Sequence, residues 1–167
     1  MDGMDASQMA TDYGLRLVAA AGMGGIIGFD REAKARPAGL RTHMLTAVAA
    51  ALFTIMTIEM HQQLLAQKHQ GGDPIRIIEA ITVGVSFLAA GTIIQRGRNV
   101  HGITTGAGLW LAGAAGMTAG FGEYLIGAMA VGLALVILTG LGFVEDRINP
   151  DPPPDPQAGK RAARKKA

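Results

Sequence analysis

Asp30, Arg31 and Glu32 close one apolar stretch of the sequence, and Arg36, Arg41, Thr42 and His43 open the next. Pro37 and Gly39 set the turn between them. The turn brings these opposite charges to the same membrane depth beside a positively polarised helix start. Two helix starts edged by Arg and Thr also resemble a cradle for an anion or phosphate. The same residues serve equally well as a topology anchor knitted by ordinary salt bridges, and both readings stay open. Thr42 is placed to cap the second helix, and Thr104 or Thr105 the fourth.

A second candidate is Glu79, since a carboxylate within an apolar span is costly unless paired or hydrated. Thr82, Ser86 and Ala90 follow it at helical spacing, so the four residues share one face, expected to point into the bundle. Arg76, one turn earlier, can pair with Glu79 near the interface.

Catalysis finds little support. No paired carboxylates, Ser-His-Asp set or zinc spacing occurs, and His43 and His101 are expected to face the cytoplasm without a nucleophile. The chain has no cysteine and no Gly-x-x-x-x-Gly-Lys-Ser/Thr loop. Magnesium takes oxygen ligands, usually carboxylates with retained waters. Asp30 and Glu79 should lie near opposite faces and cannot share one ion. We therefore expect no enzyme, no cofactor and no metal site.

The elements that must carry these residues follow from composition. The chain has 167 residues, 49% of them hydrophobic and 17% charged, with 24 glycines. One compact unit is expected. The charges gather in loops and at the C-terminus, which is a membrane composition. Five apolar segments stand out: Tyr13 to Phe29, Thr42 to Ile58, Ile75 to Gln95, Gly102 to Phe121 and Tyr124 to Val144. Each approaches the roughly 20 helical residues that cross a hydrocarbon core. The expected fold is an all-α polytopic bundle of about five transmembrane helices.

If the N-terminus is outside and the C-terminus inside, every Lys and Arg except Arg16, Lys68 and Arg76 falls on the inner side. That is the bias the positive-inside rule demands. Residues 1–12 form a polar N-terminal segment without the basic start of a cleaved signal. Residues 13–147 form the transmembrane domain. The Pro-rich basic tail at 148–167 should be extended, and its cations are suited to anionic lipid rather than nucleic acid. Gly71-Gly72-Asp73-Pro74 marks an outer connector.

Small residues at four-residue spacing let membrane helices approach closely. Ala20, Gly24 and Gly28 have that spacing in segment one, and Gly102, Gly106, Gly113, Gly116 and Gly120 form one stripe of segment four at about 100° per residue. Segment four is expected to be central, in a tight bundle without a wide pore.

The run from Gly25 to Glu32, followed by Arg36 to His43, resembles the signature of the MgtC/SapB family of bacterial inner-membrane proteins. A second block agrees: Phe87 to Ile94, then Val100-His101-Gly102-Ile103-Thr104-Thr105-Gly106 to Trp110 and the Gly-rich run to Tyr124. The resemblance covers roughly Leu15 to Val144. It departs at Ser86, Ala89 and His101, and many members continue into an ACT-type domain where this sequence has only the tail. The resemblance implies a non-enzymatic role in magnesium homeostasis and growth at low magnesium, with virulence in pathogens. It suggests action through other membrane complexes such as the ATP synthase. It also makes Gly102, Thr104, Thr105 and Trp110 a helix-four motif. The expected partners are the lipid bilayer and either a membrane protein or a second copy in a homo-oligomer. A small ion or solute transporter or channel, with the Glu79 stripe as its path, is the alternative.

Overall fold

The computed structural model describes residues 5–67, 75–96 and 99–141. The order is α1 (Ala6–Ala33), α2 (Leu40–Ala66), α3 (Ile75–Ala90), a hairpin of β1 (Ile94–Arg96) and β2 (Asn99–His101), α4 (Ile103–Phe121) and α5 (Tyr124–Leu135). These lie in a unit spanning Met1–Leu135; a second unit, Val136–Ala167, opens with a π-helical turn at Val136–Leu141. The connector at 71–74, Arg98, the end of segment five and the tail at 148–167 lie outside the described residues.

α1 begins well before its apolar stretch, because Asp5 N–H donates to Gln8 Oε1 (3.3 Å) across the first turn. It ends with Arg36 N–H on the Arg31 carbonyl (3.0 Å) and Ala35 N–H on the Glu32 carbonyl (2.9 Å). That double bond pattern reverses the chain, and Ala35 adopts the left-handed conformation it requires (φ 49°). α4 stops the same way at Gly122 (φ 83°), with Glu123 N–H on the Thr118 carbonyl. Both stops return the chain at once to a neighbouring helix.

α4 packs against all four other helices. The core between them is made of small residues: Ala20, Ala47, Ala51, Ala112 and Ala119 are fully buried, and Ile27 and Leu109 are its largest buried apolar side chains. The glycine stripe explains this thinness. A Cβ on Gly116 would stand 2.1 Å from the Ala47 carbonyl oxygen, so α2 and α4 touch through their backbones. Gly24 of α1 meets the His43 carbonyl of α2 in the same way. α4 is therefore central, as its spacing predicts.

The opposite faces are apolar and uncovered. Phe87 (78%) and Leu125 (73%) head a set of large exposed side chains found on every helix. Among the described residues, α2 is the one helix both long and apolar enough by composition to cross a membrane.

Two expectations need correction, both in segment three. The apolar run Ile75 to Gln95 is helical only to Ala90. Beyond it Thr92 Oγ1 turns back onto the Ala89 carbonyl (2.8 Å), and the β-branched Ile93 and Ile94 lead into the hairpin. The fold is all-α as expected, with a two-stranded antiparallel ribbon between α3 and α4, Ile94 opposite His101. The Glu79, Ser86 and Ala90 face also points away from the bundle, with Thr82 half-buried at its edge. α3 instead buries Ile81, Val85 and Ala89 against its neighbours, because the apolar face offers more contact to α4.

Candidate functional site

The charged junction is built on the buried stripe of α1. Ala20, Gly24, Ile27 and Gly28 face the other helices, and Arg31 is the next position in that register. Its side chain is 4% exposed. The guanidinium donates to Asp30 Oδ2 through Nε (2.9 Å) and Nη2. Lys34 Nζ reaches Asp30 Oδ1 at 2.8 Å from the other side. Arg31 is thus a buried, paired cation and not the exposed loop charge that hydropathy suggests.

Glu32 performs a different task. Its Oε2 accepts the Leu40 N–H (2.9 Å), satisfying one of the free donors at the start of α2. Gly39 is the residue before that helix, and a Cβ there would overlap Glu32 Oε2 (1.7 Å), so the carboxylate reaches the helix end only because the position lacks a side chain. Thr42 does not cap α2. It is the third residue of the helix, exposed, and its carbonyl accepts Thr46 Oγ1 (2.8 Å).

His43 is fully buried, which corrects its expected cytoplasmic exposure. It lies on the α2 stripe with Ala47, Ala50, Ala51 and Thr54. Nδ1 sits 2.9 Å from the Gly39 carbonyl, and since a carbonyl only accepts, Nδ1 carries the proton. Among the described residues Nε2 finds no hydrogen-bond partner; it faces Gly108 of α4, whose absent Cβ would lie 3.1 Å away. Ala38 of the turn packs with Ala89 and Leu109, which ties the junction to α3 and α4.

Arg36, Pro37 and Arg41 are exposed at the rim. In the helix-four motif Gly102 takes a left-handed conformation (φ 89°), and a Cβ would collide with the Thr92 carbonyl at 2.0 Å. Among the described residues no side chain caps α4: Thr104 is exposed, Thr105 is buried and Trp110 is about half exposed. The structure therefore brings Asp30, Arg31, Glu32, Gly39 and His43 together. It leaves Arg36, Arg41 and Thr42 on the outside, and Glu79 and Ser86 on a separate face. Among the described residues no group of three or more His, Asp or Glu side chains is placed to hold a metal.

Asp30 lies just beyond the apolar stretch of α1. Burial pushes its carboxyl upward, but the hydrogen bonds from Lys34 and Arg31 outweigh that and hold it below the ordinary value of 3.8. A depressed folded value stabilises the protein above the unfolded value and loses that contribution as pH falls through the folded one. The melting difference between the wild type and Asp30→Asn should therefore be constant from about pH 7 to 5 and shrink below about pH 4. Circular dichroism melts across that range provide the check.

At the far ends of the helices, Tyr13 OH donates to Glu59 Oε1. Arg16 Nη1 donates to the Gly120 carbonyl (2.7 Å) while its Nη2 pairs with Asp12 (2.8 Å). The cation thus satisfies the last turn of α4. Tyr13 and Glu59 carry no sequence signal beyond their polarity at two segment ends.

A family model described as the MgtC family matches residues 17–147. The chain is 38% identical over 130 residues to the Escherichia coli K12 protein named "Putative magnesium transporter YhiD", covering 78% of this chain and 60% of that one. It is 39% identical over 117 residues to "Protein MgtC" of Brucella abortus strain 2308, covering 69% and 44%. It is 35% identical over 121 residues to "Protein MgtC" of Salmonella typhimurium strain 14028s, covering 72% and 48%. The chain spans about half the length of the curated relatives it matches. No solved structure matches it.

Proposed function

The chain belongs to the MgtC family, and from that premise we propose that it is a multi-pass protein of the bacterial inner membrane, a non-enzymatic modulator of adaptation to scarce magnesium. In this reading five helices cross the bilayer, with the N-terminus outside and the charged junction and C-terminus inside. The uncovered apolar faces of all five helices support that placement, because soluble monomers rarely expose contiguous apolar surface on such a scale. The protein acts by contact with another membrane complex, of which the ATP synthase is one, and its basic tail lies on anionic lipid.

One observation carries the choice of modulator over conduit. The helices meet backbone to backbone at Gly24, Gly116 and Gly120, and the charged groups of the site gather at the helix ends instead of along a crossing path. Exposed Arg41, beside the buried junction, is the group offered to a partner. A deletion strain should grow poorly at low magnesium and recover with the intact gene. Arg41→Ala should accumulate normally and fail to restore growth, because an exposed side chain contributes little to stability. Equal rescue by both genes would contradict the contact.

The name of the Escherichia coli relative favours a second reading, in which the protein itself moves magnesium. Flux of the ion into liposomes holding only the purified chain would establish it, and Glu79→Gln would then test the polar stripe of α3.

A further inference from the structure

A groove of about 550 Å³ runs between α2 and α3, open on one side. Ala50, Ile81 and Val85 form its floor, and Phe53, Met56 and Leu88 rise along its sides. Its two lining hydroxyls are spent on their own helix: Thr46 Oγ1 donates to the Thr42 carbonyl (2.8 Å) and Thr57 Oγ1 to the Phe53 carbonyl (2.7 Å). The wall therefore has no side-chain donor left for a polar ligand, and its occupant must be hydrocarbon.

We propose that this groove holds one acyl chain of an anionic phospholipid, with the headgroup at the Arg41 end. The inference rests on the membrane placement proposed above and engages Arg41, the group offered there to a partner; it is read by the mass of retained lipid and not by growth. Shape argues first. From Thr46 to Met60 the groove follows α2 for about 21 Å at 1.5 Å per residue, comparable to an extended acyl chain. Charge argues second. Exposed Thr42 lies one turn beyond Thr46 on the same face of α2, and exposed Arg41 is beside it, so the phosphate of a lipid seated in the groove meets a cation at that end.

Gly84 supplies the test, because a Cβ built there meets nothing within 4 Å while the residue lines the groove. A leucine at this position starts from an unobstructed Cβ and fills part of the groove that it lines. Full-length protein is purified in mild detergent from membranes of mixed anionic and zwitterionic phospholipid and weighed by native mass spectrometry. The proposal expects one phospholipid retained per chain, predominantly anionic. Gly84→Leu should lower the retained fraction by about tenfold or more at unchanged helix content, and Ala80→Leu should do the same should the first variant fold poorly. Arg41→Gln should keep the lipid and lose the preference for anionic headgroups. Equal retention in both filled variants, no retained lipid in the wild type, the mass of a free fatty acid, or a second polypeptide crosslinked at Gly84 would each overturn it. A chain that stays dispersed in buffer without detergent would overturn the membrane placement itself.

Discussion

Gly116→Leu should abolish accumulation of the folded protein. Even the first carbon of the new side chain would lie 2.1 Å from the Ala47 carbonyl oxygen and 2.8 Å from the Ala47 Cα. Neither can yield as a flexible side chain would, so α2 must be pushed off α4. Overpacking a core costs typically 1 to 3 kcal/mol where side chains can adjust, and at a backbone contact we expect at least about 3 kcal/mol. That is a large share of the roughly 5 to 15 kcal/mol of a folded domain. Gly22 supplies the contrast, since a Cβ there meets nothing within 4 Å. Gly22→Ala should raise stability by up to about 1 kcal/mol through helix propensity alone. Fluorescence-detected size exclusion of tagged variants reads both effects. A well-folded Gly116→Leu protein would show that α2 and α4 are not in backbone contact.

The second large effect lies at the charged junction. Asp30→Ala strips the carboxylate from a guanidinium that is 4% exposed, leaving a buried cation without its counter-charge. Breaking such a pair from one side costs about 3 to 5 kcal/mol. Lys34 is far more exposed and should matter little. Replacing both members together, as Asp30→Ala with Arg31→Met, removes the orphaned charge and should recover most of the loss. Thermal melts of the two single variants and the double variant measure the coupling. Additive losses would mean that the two groups do not depend on each other. A double variant that folds and still fails to restore growth at low magnesium would place a role for the pair beyond folding.

Much of this architecture is legible before any coordinates. Segment four is bracketed by Gly102 and Gly122, both in the left-handed conformation, and its predicted limits fall within one residue of α4. Its glycine spacing also identifies it as the central helix, because close approach needs small residues wherever it occurs. Hydropathy is less informative about ends. It marks Tyr13 as a beginning because apolar residues start there, whereas α1 extends back through polar residues that need only a helical cap. It also runs past Ala90, since Ile93 and Ile94 are apolar in a strand as in a helix.

The site is harder to read. Arg31 and His43 are visible as chemistry, but their burial follows from register: each continues a stripe of small residues on its own helix, and charge alone places both in water. The α3 stripe shows the converse. Glu79, Thr82 and Ser86 share one face and Ile81, Val85 and Ala89 another, with the same period. Periodicity alone cannot choose between two faces; the contact that the apolar face makes with α4 does.

The placement of the charged junction relative to the bilayer fixes the orientation of every helix. The chain has no cysteine, so single cysteines introduced at exposed positions report without background. We would place them at Arg36, in the turn after α1, and at Gln67, at the far end of α2. Labelling of spheroplasts with a membrane-impermeant maleimide should modify Gln67→Cys at once and Arg36→Cys only after permeabilisation. Prompt labelling of Arg36→Cys in intact spheroplasts, with Gln67→Cys protected, would contradict the account.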